Sequence, residues 1–511
     1  MHFLSLILLV SFWLLPLQAE EPSFRFHILS DPVTLDPLRS NGSWNSFIHY
    51  NLYRSFFHYD GTKLVNENAK KCSYITLREL HCQMNMNRKY SNGQKITLRD
   101  YIQPFRSAFD KDTTAKAKAE LLLLKNAKAI LDGKKKKSDL GVSPHPQKKD
   151  VIVFTFDRPD ADFLSRLSSP VFAPRPAEEV TSDVLARDYA SGPYKFQKKE
   201  NLKYVQLASN QYYEKGHATR PIVKALIVNN DSTAFNMYRT GVLNFLRRLP
   251  QDQYNVALKS EDLEKEIYVQ PQLRMDHLGF AGILIDQPHL REALALSANY
   301  PELQRILQAR GQPGCFSLLK HYYSGEAICY QFDLKKAKEL LKIVSPEILK
   351  KPIQLYYSIQ GGEDIQRAIE WFQNQWKKNL NLNIHLNPSE NTELTNRLKT
   401  QPPDIYRRGV PVDSASCLSA LESFEAHHPE NYLKIKNAAL IKSLARLNNP
   451  RLSQLQQKNY CRDALKGIFS ENRLIPLGEM YFVSMSKPEF TGWQLNALNQ
   501  LDLSNLRIAS E

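Results

Sequence analysis

Between Ile353 and Pro388 the apolar pattern changes period twice, and this stretch constrains the fold more than any other. Ile353, Leu355 and Tyr357 alternate as in a strand, which Gly361-Gly362 end. Ile365, Ala368, Ile369, Phe372, Trp376 and Leu380 then recur at i, i+3, i+4 and i+7, the spacing of one helix face. Leu382, Ile384 and Leu386 alternate again before Pro388. Two strands joined through a helix by short links form a βαβ unit, which implies a parallel pair with a right-handed crossover. Upstream, Leu290, Ala293, Leu294 and Ala298 mark one amphipathic helix. A second begins near Pro301 with Leu303, Ile306 and Leu307, and Asp333 is placed to cap a third bearing Ala337, Leu340 and Leu341. The first half is richer in strands, at Phe24–Leu29, Tyr74–Leu77, Val151–Phe156 and Val223–Val228. The chain reads as α/β with at least two lobes and no internal repeat.

The first 19 of the 511 residues are unlike the rest. Phe3 to Leu17 is almost wholly apolar, and Leu17-Gln18-Ala19 precedes Glu20-Glu21. This matches the apolar region of an export signal with a small residue for cleavage after Ala19, although no Lys or Arg precedes it. A run of about 15 is short of the roughly 20 residues that a spanning helix needs. No cysteine lies near the cleavage point, which argues against a lipoprotein anchor. The expected fate of the chain is secretion.

With 68 Lys and Arg against 53 Asp and Glu, the formal charge is +15. That admits nucleic acid, anionic membrane or acidic ligands as partners. An exported chain does not meet a chromosome. The lysine runs Lys134–Lys137 and Lys148–Lys149 sit among Gly133, Gly141, Pro144 and Pro146, with no interleaved aromatics to stack on bases. They read as a solvated loop, and nucleic acid is not an expected partner.

The cysteines are Cys72, Cys82, Cys315, Cys329, Cys417 and Cys461. An even count in an exported chain suggests disulfides, with 15 connectivities open to six cysteines. Cys72 and Cys82 lie on what reads as a hairpin, and Cys315 and Cys329 bracket one loop; each local closure is worth about 3 kcal/mol. No spacing suits zinc, since His427-His428 are adjacent and cannot share a helix face as i, i+4 ligands do. No metal or cofactor is expected.

Catalytic motifs are also missing: there is no GxSxG, HExxH, GxGxxG or GxxxxGK[ST]. Ser317-Leu318-Leu319-Lys320 matches the SxxK of penicillin-interacting enzymes, but no KTG or KSG supplies the partner strand. A loop serine is the better reading of Ser317, and Lys320 has no catalytic partner to serve. The chain is expected not to be an enzyme.

Several separated stretches resemble, in order, the family 5 extracellular solute-binding proteins, the oligopeptide- and dipeptide-binding receptors of ABC importers. Leu35-Asp36-Pro37 followed by Asn51-Leu52-Tyr53-Arg54-Ser55-Phe56-Phe57 resembles their LDP and "nlyegL" segments. Tyr90-Ser91-Asn92-Gly93-Gln94-Lys95-Ile96-Thr97-Leu98-Arg99-Asp100 resembles WSdGkpvTAeD, with Tyr for Trp. Ser191-Gly192-Pro193-Tyr194, with Leu207, Asn210 and Tyr213, resembles GPYkl…LeaNpnYw. Leu290-Arg291-Glu292-Ala293-Leu294, Asp404-Ile405 leading to Asp413, and Gly492-Trp493-Gln494-Leu495-Asn496 match three further segments.

The resemblance implies an α/β, bilobed, flytrap-like (type II) periplasmic-binding fold with a subdomain inserted in the first lobe. The implied layout is a signal at 1–19, first lobe at 20–60 and 185–272, inserted subdomain at 61–184, second lobe at 273–477, and a closing first-lobe segment at 478–511. It also implies a peptide held between the lobes, an inner-membrane ABC permease as partner, and a monomer without chemistry of its own. Asp413 falls where the family receives the peptide's α-ammonium, Arg407 where an arginine meets a peptide carboxylate, and Gly409 where backbone approaches the ligand. Gly42-Ser43-Trp44 matches a segment that lends backbone groups to the peptide. Val410 stands where the family often has Trp, and Ala281 replaces an Asn. These departures leave room for a nickel chelate, an oligosaccharide or a cell-wall peptide as ligand, or for a sensor role.

Overall fold

The computed structural model describes residues 22–40, 45–214, 220–306, 312–316, 322–359, 363–412, 414–426, 428, 430–496 and 498–509. A ten-stranded sheet runs through it. Its strands are β1 (Ser23–Ile28), β2 (Tyr194–Glu200), β3 (Tyr204–Ser209), β4 (Ile222–Ile227), β5 (Phe245–Leu246), β6 (Ile267–Phe280), β7 (Ile353–Ser358), β8 (Ile384–Ser389), β9 (Ile405–Pro411) and β10 (Leu474–Ser486). Across the sheet they lie in the order β8-β7-β9-β6-β10-β5-β1-β4-β3-β2. The long antiparallel pair β6–β10 stands in the middle, with one lobe built outward from each side.

The pair is continuous in sequence but not in register. Ile267–Pro271 pairs with Tyr481–Met485, and His277–Gly279 pairs with Leu474–Pro476, with shifts between Pro271 and Met275 and between Met275 and His277. Pro271 has no N–H for the ladder. Gly478 has φ +92°, a left-handed backbone that only glycine adopts without strain. The ladder is thus interrupted midway along the pair.

In the first lobe β1 runs parallel to β4, Phe24 opposite Val223 and Phe26 opposite Ala225, and all four side chains are buried. The C-terminal stretch closes this lobe: Asn51 donates to the Leu501 carbonyl (2.7 Å), and Arg54 donates to Asp502 (2.5 Å). Between β1 and β2 the chain builds a separate four-stranded sheet, Ala69–Thr76, Glu79–Met84, Val151–Thr155 and Val142–Pro144. Phe56, Tyr101, Phe105, Phe154 and Phe163 fill its core. The helix Leu98–Ser107 in this unit starts with a reciprocal cap, Thr97 accepting from the Asp100 N–H and Asp100 accepting from the Thr97 N–H. That is the physical content of the TLRD segment.

The second lobe contains the strand–helix–strand unit. β7 and β8 are parallel, Ile353 opposite Ile384, and the helix Glu363–Leu380 buries Ile365, Ala368, Ile369, Phe372 and Trp376. Trp376 is fully buried and its indole N–H donates to the Leu294 carbonyl (2.9 Å), joining the crossover helix to the helix Pro288–Leu296. Three disulfides form among the described residues. Cys72 lies opposite Cys82 in a hairpin, and Cys315 lies opposite Cys329. Cys417–Cys461 joins the helix Cys417–Leu421 to the helix Gln454–Phe469 across 44 residues.

Trp376→Ala removes a large buried side chain together with a hydrogen bond, and is expected to cost about 3–5 kcal/mol in urea unfolding. Replacing both Cys417 and Cys461 by Ser releases the longest loop of the three and is expected to cost about 4 kcal/mol. Serine replacement of Cys72 and Cys82 should cost less in the same measurement.

Candidate functional site

In open α/β sheets, ligands lie beyond the carboxyl ends of the parallel strands. In the second lobe β7 and β8 are parallel and end together, and β9, parallel to β7, continues to Pro411; in the first lobe β1 runs parallel to both β4 and β5. The carboxyl ends of β9 and β5 run toward the interruption in β6–β10 from opposite sides. A site between the lobes therefore collects side chains from β9, from the chain after β5, and from the middle of β6.

β9 supplies Arg407, Arg408 and Gly409. Strand alternation sends Arg407 and Gly409 to one face and Arg408 to the other. Arg407 is 5 % exposed and donates to Asp276, itself fully buried on β6. Arg274, two residues earlier on β6, donates through Nε to the other oxygen of the same carboxylate (2.6 Å). One buried anion is thus shared by two guanidiniums. Gly409 lies opposite Asp276, and a Cβ there would collide with the Arg274 guanidinium and the Asp276 carboxylate. The glycine is needed for space, not for an unusual backbone angle.

On the opposite face Arg408 donates to Glu430 (2.6 Å) and lies 4.9 Å from the centre of the Tyr432 ring. His277, opposite Arg408, is buried beside Tyr406 and Phe424. Burial, followed by the Arg408 charge, pushes its imidazole down to about 3. Asp404, at the entrance of β9, accepts from the backbone N–H of Ile283 (3.0 Å) and Gln354 (2.9 Å), tying β9 to its neighbours. A hollow beside the site is lined by Met275, Asp276, Phe316, Pro476 and Gly478.

On the first-lobe side, Arg247 follows β5 and lies 4.4 Å from the centre of the Phe47 ring, at the start of the helix Ser46–Leu52. Burial lowers the Arg247 guanidinium to about 10. Asp413 and Gly42-Ser43-Trp44 lie outside the described residues, as do Ser317 and Lys320. The residues next to Asp413 are described, and they bridge the lobes. Ser416 and Ser414 donate to Asp162 of the four-stranded unit (2.6 and 3.3 Å), and the Ala415 N–H donates to the Tyr59 hydroxyl (3.1 Å). Burial raises the Asp162 carboxyl above its ordinary value, against the pull of Arg166 and both serines. Among the described residues no group of three His, Cys, Asp or Glu could hold a metal ion.

The sequence reading missed Arg274, Asp276 and Asp162. The first two carried a signal: Arg-x-Asp on a strand puts both side chains on one face. Asp162 carried none, since its partners lie more than 250 residues away.

His277 predicts an acid limb in stability. The unfolded ring takes a proton near pH 6.5, whereas the buried ring resists until about pH 3. Stability is therefore lost as pH falls through that window, at up to about 1.4 kcal/mol per pH unit. His277→Gln should flatten the fall in melting temperature between pH 6.5 and 4, measured against wild type.

The pattern of the bacterial extracellular solute-binding proteins, family 5, matches residues 77–430. The periplasmic murein peptide-binding protein of Escherichia coli is 22 % identical over 94 % of this chain and 91 % of its own length. The periplasmic oligopeptide-binding protein of Haemophilus influenzae is 23 % identical over 81 % of this chain and 80 % of its own. Among solved structures, an unliganded open form of a periplasmic murein tripeptide-binding protein superposes with a TM-score of 0.79 at 19 % identity, covering 96 % of this chain and 98 % of that one. The oligopeptide-binding protein of H. influenzae in complex with the peptide RPPGFSPFR superposes with a TM-score of 0.73 at 19 % identity, covering 96 % and 99 %. The fold is the bilobed type II periplasmic-binding fold expected from the motifs.

Proposed function

We propose that this chain, which belongs to the bacterial extracellular solute-binding proteins of family 5, captures peptides between its two lobes and delivers them to an ABC importer of the inner membrane. It performs no chemistry of its own, works as a monomer in the periplasm, and loses residues 1–19 on export. The observation that carries this reading is the site itself: charged and glycine residues of β9 meet the strand pair where it passes between lobes. The peptide-binding relatives, matched over most of their length, support it.

Within this reading Asp413 receives the ligand's α-ammonium, and Gly42-Ser43-Trp44 lends backbone groups across the cleft. Arg407 is already paired with Asp276, so it acts through that carboxylate, while Gly409 admits the neighbouring guanidinium. The register shift after Pro271 and the left-handed Gly478 support lobe limits at 272/273 and 477/478. Specificity rests on main-chain groups and termini, with tolerant side-chain pockets.

Titration calorimetry with mixed tri- to pentapeptides is expected to give saturable heat. Silence with all of them, against a signal for a sugar or a nickel chelate, overturns the peptide reading. Asp413→Ala should weaken peptide binding at least tenfold, because an unpaired buried ammonium is costly. A murein tripeptide belongs in the same titration, since the E. coli relative is named for murein peptides.

A further inference from the structure

Among the described residues the Arg274 guanidinium is engaged on one edge only. Asp276 is fully buried and accepts from Arg274 on one oxygen and from Arg407 on the other. The Arg274 side chain remains 32 % exposed, and only its Nε is engaged by a hydrogen bond or ion pair among the described residues. The two terminal nitrogens form an open edge. Gly409 keeps that edge in place, because any side chain there would occupy the space of the guanidinium. Arg274 also lies in the irregular part of β6, where the strand passes from one lobe to the other, opposite the end of β9.

A guanidinium so held presents paired N–H donors in a plane, the geometry that matches a carboxylate. It is fixed from behind by Asp276, so little further ordering is needed when an anion arrives. We propose that Arg274 receives a carboxylate of the ligand and makes this receptor selective for peptides whose carboxylate reaches the strand crossing. This rests on the peptide-receptor reading above. Asp276 and Gly409 are positioning residues for it, and Arg407 is the counter-cation that fixes Asp276. The carboxylate comes either from an acidic side chain or from the C-terminus of a short peptide, and both use the same chemistry.

The experiment is calorimetric titration of the full mature chain with two matched pairs of probes. Ala-Glu-Ala against Ala-Gln-Ala reads a side-chain carboxylate, and Ala-Ala-Ala against its C-terminal amide reads the terminus. Wild type is expected to prefer the acid at least tenfold in one pair, and the pair that responds identifies the source. Arg274→Gln should bring that ratio close to one, Arg274→Lys should restore part of it, and Gly409→Ala should reproduce the loss by displacing the guanidinium. A ratio unchanged in Arg274→Gln overturns the proposal, whatever happens to overall affinity or melting temperature. Glutarate separates this inference from the peptide reading, because it needs no peptide frame. If no peptide binds, stabilisation of wild type by glutarate that is lost in Arg274→Gln upholds the carboxylate site while the peptide reading fails. Equal glutarate response in both proteins overturns the arginine's role as well.

Discussion

The antiparallel pair β6–β10 belongs to both lobes, and the strands on either side take their register from it. An unbroken ladder of that length would make the two lobes one stiff, twisted plate. The break at Pro271–Met275 and the left-handed turn at Gly478 prevent this. Irregularities of this kind bend strands and re-aim side chains. Here the shifts fall on the β10 side of β6 only, and on the other side Arg274 keeps its register with β9 and lies against Gly409. The break in the ladder and the Arg274–Asp276–Arg407 cluster are therefore built from the same few residues.

Buried charge follows a consistent rule in this molecule. Asp276 is paired twice, Arg54 is paired with Asp502, and Glu67 meets Arg88 and His58. Removing one partner of such a pair strands a charge out of water and costs several kcal/mol. The lysines of the 134–137 run obey a different rule, being exposed and screened, with Lys134 beside Asp132 and Lys137 beside Asp110. The net charge of +15 is spread over such surfaces and says little about the cleft. The second lobe and the four-stranded unit also meet directly, through Ser414 and Ser416 on Asp162 and through Asn448 on the Ala161 N–H. The segment after Asp413 is thus anchored across the cleft.

Much of the architecture was legible because the signals were local. The period change at 353–388 became β7, a helix and β8, and Thr97 with Asp100 became a helix cap. Cys72 and Cys82 became neighbours in a hairpin. Two motif segments far apart in the chain proved to touch: the Gly192 N–H donates to the Leu52 carbonyl (2.9 Å), and a Cβ on Gly192 would collide with the Asn51 backbone. Their residues follow from that close approach. Arg407 was singled out by motif position, but its availability to a ligand was not legible, because its partner Asp276 lies 131 residues earlier.

Periodicity, caps, turns and cysteine spacing are properties of neighbouring residues, so the sequence alone determined an α/β chain with a parallel unit and a lobed design. Which cations are neutralised and which stay open is a property of residues that meet only after folding. Arg407, Arg408 and Arg274 are alike as letters. Tertiary structure set the first on Asp276 and the second on Glu430, and set the third on Asp276 through its Nε alone among the described residues, because these partners meet only when β6, β9 and the segment at Glu430 come together.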